Sequence, residues 1–237
     1  MRNCQGFDLY IIPYFCMLED LPEKIKDRES KILDIIQNHP ERITHNWYPI
    51  IAPEATYVVS AQPIRIDGIL ITLSASAQTE VAKLWDCTLL TAKLVDLIHQ
   101  HADIVIEPCP RLISSTKSAM ILHSQTVDKQ LEKYDTTNKL VSTCGKDWIN
   151  VEKKPANGNA VNYGWCINTY QSLWKGIKTY PTSIEGIRVI QCIGTVHSPQ
   201  HSDYSQNSRF ISRIIIKENI YKAADIINKN EFKKYFY

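Results

Sequence analysis

The sequence has no dominant sign of charge. Its 237 residues carry 27 Lys and Arg against 25 Asp and Glu, a formal net charge of +2. The basic side chains are scattered rather than striped, so no nucleic-acid partner is expected. The two local exceptions, Lys24-Ile-Lys26-Asp-Arg28 and Lys233-Lys234, read as solvated faces. Long apolar runs are missing as well: none approaches the roughly 18 to 20 residues that a membrane span needs. The seven cysteines, at positions 4, 16, 87, 109, 144, 166 and 192, contain no CxxC pair and no regular spacing. An odd, unpatterned set argues against a disulfide framework and favours a reducing, cytoplasmic setting. The N-terminus points towards export instead. Arg2 and the apolar stretch Leu9 to Leu18 imitate the first two regions of a signal peptide, although Asp8, Pro13 and the lack of a small-x-small cleavage site depart from it. The compartment therefore stays open. There is no internal repeat, no low-complexity tract and no motif that implies a cofactor.

What is present is enough apolar material, 44% of the chain, to build a sizeable core. Residues 1 to 20 read as an apolar strand or anchoring segment. Glu23 to Asn38 carries an apolar stripe at helical spacing, ended by Pro40. Trp47 to Pro53, with two prolines, is expected to be an extended connection. Thr56–Ser60 and Ile64–Leu73 read as strands, the second with a turn signal at Asp67-Gly68. Helices are expected from Ser76 or Gln78 through Trp85 and over Ala92–His101, the latter capped by Thr88 or Thr91. Pro108-Cys109-Pro110 stops a short strand at Ile104–Ile106. Ala119–Leu122 reads as a strand, Val127–Tyr134 as a helix and Tyr221–Asn228 as the last helix. Short strands interleaved with helices predict an α+β fold, a single domain with a mainly antiparallel sheet flanked by helices. Residues 1–40 would be an N-terminal segment with one helix, and 41–237 the domain that carries the site. The strands near 160–167, 187–197 and 209–216 are expected to be neighbours.

The late stretch Arg188 to Ser205 concentrates chemistry. A β-branched run ends near Gly194, and Ser198-Pro199 opens a segment holding His197, His201, Asp203, Tyr204 and Ser205. The candidate nucleophile is Cys87. A cysteine at the first turn of a helix feels the positive end of the backbone dipole, and Lys93 would help to lower its pKa. His197 would act as general base, with Asp203 or Ser205 orienting its second ring nitrogen. Lys146, Tyr163, Trp165, Tyr204 and Ser205 are the candidate substrate-binding residues; Lys146 would pair with Asp203 or stabilise developing negative charge.

A second reading makes Cys144, Cys166, His197 and either His201 or Asp203 a zinc site. Pro199 rules out a helical His-x3-His pair, and on an extended segment those two histidines lie about 13 Å apart, too far for one ion unless the loop folds back. In a third reading, Tyr163-Gly-Trp-Cys and Asp203-Tyr-Ser serve packing and hydrogen bonding alone.

From about Thr56 to Arg213 the chain resembles a family of largely uncharacterised bacterial proteins. The likeness is carried by Cys87-Thr-Leu-Leu-Thr-Ala-Lys-Leu-Val-Asp96, Lys146-Asp147, Tyr163-Gly164-Trp165, His197 and Asp203-Tyr204-Ser205. Where that family has histidine, this chain has Cys144 and Cys166. Where it has Ser-His-Gly-x-Arg, this chain reads Ser205-Gln-Asn-Ser-Arg209. Asp86-Cys87-Thr88-Leu89 is also similar to the Asp-Cys-Ser-Gly-Leu motif of NlpC/P60 cell-wall cysteine peptidases. The late His-to-Arg segment resembles L,D-transpeptidases, with Ser208 where their cysteine would stand. The uncharacterised family brings no activity, and Ser208 argues against a working transpeptidase; the likeness to the NlpC/P60 peptidases implies a thiol-dependent hydrolase acting on an amide bond, in peptidoglycan or a peptide. The alternatives are a non-catalytic binding or effector protein that uses the 197–205 loop, and a zinc-binding protein.

Overall fold

The computed structural model describes residues 21–112, 114–142, 144–168 and 177–237. The apolar segment 1–20, with its signal-like stretch, and residues 169–176, among them Trp174, lie outside the described residues. The fold is α+β. One five-stranded sheet runs in the order Tyr180–Pro181, Ile187–His197, Ala160–Asn168, Lys146–Trp148, Gln206–Asn207. A second joins Asn219–Lys222, Phe210–Ile216, Thr56–Ser60 and Trp47–Ile51 in that order, with Thr88–Leu89 also pairing Phe210–Ile216. Among the described residues the strands pair antiparallel except at Gln206–Asn207 against Lys146–Trp148 and at Ile104–Val105 against Val141–Ser142, with one further isolated parallel bridge between Leu90 and Ile149.

Two of the three strands expected side by side are neighbours: Ala160–Asn168 pairs with Ile187–His197. The third, Phe210–Ile216, belongs instead to the second sheet and pairs with Thr56–Ser60. The reason lies in the connection. After His197 the chain does not turn back as a hairpin; it crosses two strands and docks on the far edge as Gln206–Asn207, parallel to Lys146–Trp148. That crossing carries residues 198–205 over the strand ends and hands the chain to the other sheet. Gly145 makes the close approach possible, since a Cβ there would stand 2.3 Å from the Ser205 carbonyl oxygen.

The helix Ile25–Asn38 forms as its apolar spacing predicts, and it buries Ile32, Ile35 and Ile36 in one cluster with Ile64, Leu73 and Phe210. Ala75–Leu84 is capped by the Ser74 hydroxyl, and Ala92–His101 by that of Thr91. Thr116 caps a third helix, Lys117–Leu131, where a strand at 119–122 and a later helix were expected. Its buried face includes His123 and Ser124 beside Met120, Val127 and Leu131, so polar residues interrupt the stripe that would have announced it. Trp47–Ile51 is an edge strand rather than a loop, which Pro49 tolerates. Tyr221 lies in the strand Asn219–Lys222, and the helix that follows spans only Ala223–Ile226. The hairpin before it turns through Lys217 and Glu218, both at positive φ, without the Asn-Gly or Asp-Gly pair that normally marks such a turn.

Candidate active site

Residues 198–205 cross above a buried polar layer. The Lys146 ammonium lies 3.2 Å from Asp203 Oδ2, and both side chains are nearly sealed from solvent. The Ser205 hydroxyl and amide both donate to Asp203 Oδ1, at 2.7 and 2.8 Å. Burial works to raise the Asp203 carboxyl, but Lys146 and the Ser205 donors outweigh it and hold the group below the usual range. His201 Nε2 is 3.6 Å from Asp203 Oδ2, beyond hydrogen-bond reach, and its ring stacks on His197 with centroids 4.0 Å apart. Burial, His201 and Lys146 together depress His197 below the ordinary imidazole value. The structure thus brings Lys146, His197, His201, Asp203 and Ser205 into one cluster. Beneath it, Asp147, Gln206, Asn207 and Arg209 each keep a buried polar atom without a hydrogen-bond partner. Burial pushes the Asp147 carboxyl up to about 7, against the pull of Arg209 and Asn207.

Cys87 is not part of this cluster. It follows the C-terminus of Ala75–Leu84 rather than opening a helix: Asp86 takes a left-handed φ of 52° and the Cys87 amide donates back to the Ala82 carbonyl at 2.9 Å. This is the helix-closing arrangement in which the second residue past the cap packs onto the helix's own apolar side. Cys87 accordingly sits in the cluster of Val81, Ala82 and Phe210. Its thiol is pushed up to about 12, by burial first and the Asp86 charge second. The expected placement at the positive end of a helix dipole is corrected to the negative end, and the electropositive setting of a nucleophile is missing.

The zinc arrangement is corrected too. Cys144 packs with Leu70, Ile104 and Val127, whereas Cys166 belongs to the separate core of Tyr163 and Val189. Among the described residues no group of three or more His, Cys, Asp or Glu side chains is placed to hold a metal ion. Along the strand Ala160–Asn168 the register against Ile187–His197 shifts between Ala160 and Asn162 and again between Asn162 and Gly164, and Gly164 (φ 145°) and Trp165 (φ 57°) take positive φ, so Tyr163 and Trp165 do not share surroundings as residues two apart on a regular strand would. Tyr163 donates to Asp96 at 2.7 Å beside a cavity of about 620 Å³, which Ser183 and Cys192 also line. Trp165 is buried, its ring centroid 6.0 Å from that of His123. Tyr204 is buried as well and not free to meet a substrate. Its hydroxyl accepts from the Arg111 amide and donates to the Arg111 carbonyl at 3.0 Å.

That contact leads to a pair the sequence reading missed. Cys109 Sγ lies 3.5 Å from His123 Nδ1, and His123 Nε2 lies 2.7 Å from the backbone carbonyl oxygen of Cys144. A carbonyl oxygen can only accept, so Nε2 carries the imidazole proton and Nδ1 presents its lone pair to the thiol. The loop is held at both ends. Gln130 bonds the Glu107 amide and carbonyl, and Tyr204 bonds those of Arg111. Tyr204 also packs edge-on against His123, centroids 5.3 Å apart. Burial lowers His123 to about 4 and raises Cys109 to about 11, so the pair rests as neutral thiol and neutral imidazole. The signals in the sequence were a cysteine between two prolines and a histidine on a helix whose stripe was unreadable.

Comparison of the chain with models of known protein families, with curated proteins and with solved structures finds no match.

Proposed function

We propose that the protein is a thiol-dependent hydrolase of amide bonds, in a peptide or in peptidoglycan, with Cys109 as nucleophile and His123 as general base. The observation that carries this reading is the Cys109 Sγ–His123 Nδ1 contact of 3.5 Å, backed by the Cys144 carbonyl that fixes the tautomer. The contact matches the looser spacing common before substrate binds. The reaction class is the one the NlpC/P60 likeness implies; the nucleophile moves from Cys87 to Cys109.

In this reading, His123 Nδ1 takes the thiol proton as the sulfur attacks the amide carbon. The tetrahedral adduct then collapses to a thioester while His123 returns the proton to the departing amine. Water, deprotonated by the same nitrogen, cleaves the thioester and restores the thiol. Because the resting pair is neutral, proton transfer accompanies attack instead of preceding it. Tyr204 and Gln130 hold the loop, and Lys146 with Asp203 supports the segment that contains Tyr204.

The test is incubation with purified peptidoglycan and a peptide panel, read by mass spectrometry, for wild type, Cys109→Ala, His123→Ala and Cys87→Ala. Cleavage should vanish in the first two variants and persist in the third. Loss in Cys87→Ala with cleavage retained in Cys109→Ala would return the nucleophile to Cys87. One observation favours a non-catalytic reading as well: Ile193 and Val196 are 54% and 79% exposed on the strand leading to His197, an apolar edge suited to a protein partner. Partner capture unaffected by Cys109→Ala, with no cleavage of any substrate, would select it.

A further inference from the structure

The surroundings of the Cys109–His123 pair indicate what kind of amide it meets, an inference that rests on the hydrolase reading above. Arg111 stands two residues beyond Cys109 and is exposed. Its backbone is fixed from both sides by the Tyr204 hydroxyl. Its guanidinium donates from Nη2 to Thr126 Oγ1 at 2.6 Å. Thr126 lies three residues after His123 on the helix Lys117–Leu131, and side chains at that spacing are neighbours on one helix face. Arg111 is therefore anchored on the flank of the helix, one turn from the buried imidazole of His123. Among the described residues no carboxylate lies within ion-pair distance of this guanidinium. A guanidinium has five N–H donors in a planar fork, so most of Arg111's donors remain available, two residues along the chain from Cys109. Its charge reaches both partners of the pair, since it helps to lower the thiol and the imidazole alike. Leu112 and Leu122, 93% and 46% exposed, add apolar surface in the adjoining loop and helix.

We propose that Arg111 is a specificity-determining residue that binds a carboxylate on the substrate, next to the amide carbonyl that Cys109 attacks. A planar fork and a carboxylate match in charge and shape, and they can meet through two parallel hydrogen bonds. The substrate class is an acidic peptide, with a terminal or side-chain carboxylate close to the scissile bond.

The experiment needs no known substrate. The full chain is alkylated with iodoacetate, which carries a carboxylate, or with the neutral iodoacetamide. In both reactions the sulfur displaces iodide from carbon and loses its proton to His123 or solvent. The rate at Cys109 is read by peptide mass spectrometry, with the partly exposed Cys192 as internal reference. The ratio of the iodoacetate rate to the iodoacetamide rate should be about three- to tenfold higher at Cys109 than at Cys192. Arg111→Gln should bring it down to the Cys192 ratio, and Arg111→Lys should restore part of it. Any effect of Arg111 on thiol ionisation acts on both reagents and cancels in the ratio. An unchanged ratio in Arg111→Gln overturns the carboxylate site while leaving the hydrolase reading intact. An iodoacetamide rate at Cys109 unchanged by His123→Ala overturns the pair itself, and the substrate assignment with it.

Discussion

Cys87 and Cys109 are both thiols raised by burial, to about 12 and about 11, yet they differ in what surrounds the sulfur. Cys87 closes a helix and meets the side chains of Val81, Ala82 and Phe210. Cys109 stands on a loop clamped by Gln130 and Tyr204, and it meets an imidazole lone pair. Local sequence favoured the first, because a cysteine ahead of an apolar helical pattern looks like the entry to a helix. The fold assigns it to an exit. In the proposed function, reactivity is set by the partner brought across the fold, which for Cys109 is His123, 14 residues away on another element.

The largest test of this contrast is catalytic. His123→Ala should lower amide cleavage by about 10² to 10⁴-fold, the usual contribution of a general base, and Cys109→Ala should abolish it. Cys87→Ala should leave the turnover number within about a factor of two. Equal losses at both cysteines would erase the distinction.

Next in size is a pH effect on stability. The folded pKa of His123, about 4, lies below the ordinary 6.5 of an unfolded chain. The folded state thus prefers the neutral ring. Its stabilising contribution is complete above pH 6.5 and is lost as pH falls through the window towards 4. A shift of this size corresponds to roughly 3 kcal/mol. His45, lowered to about 4 as well, adds a similar slope of its own. Urea titrations between pH 4 and 7 should therefore show a shallower acid-side loss for His123→Asn than for wild type. Identical slopes would mean that the imidazole is not buried neutral against Cys144, and the tautomer argument would fail.

Smaller again is the cost of removing the buried sulfur. Cys87→Ala should destabilise the protein by about 1–2 kcal/mol, the usual range for loss of a small core group, while Cys109→Ala, half-buried in a loop, should cost less than 1 kcal/mol. Denaturant midpoints would rank them. The reverse order would place Cys109 in the core and Cys87 outside it.

Much of the fold was legible because local rules and tertiary packing agree. The stripe of Ile25–Asn38, the Thr91 cap and the Asp67-Gly68 turn all read correctly from spacing and turn chemistry. Reading failed where polar residues face inward. The helix Lys117–Leu131 buries His123 and Ser124, and the stretch 202–209 is buried throughout, with Ser202, Asp203, Ser205, Gln206 and Asn207 inside. Such segments have no hydrophobic period to follow. They are also where the candidate site lies. The clustering of Lys146, Asp203, Ser205 and His197 had a signal in the density of polar residue types. The Cys109–His123 pair had only the proline-flanked cysteine and the lone histidine as signals, and the helix stripe that would have placed the second is broken by the histidine itself.

The smallest expected effect concerns Tyr204, which joins the late loop to the cysteine loop. Its hydroxyl makes two hydrogen bonds to one residue, accepting from the Arg111 amide and donating to the Arg111 carbonyl. Tyr204→Phe keeps the ring against His123 and deletes only these bonds. Each is worth about 0.5–1.5 kcal/mol net, and water reaching the exposed Arg111 would replace part of that. Global stability should therefore fall by roughly 1 kcal/mol or less. The informative readout is local. If the hydroxyl holds Cys109 in line with Nδ1, the iodoacetamide rate at Cys109 should drop several-fold while Cys192 stays constant, and cleavage should fall through the turnover number rather than through substrate affinity. If Tyr204 serves only to pack the loop, the stability loss will appear without any change in the Cys109 rate. The late cluster would then support the fold without tuning the thiol.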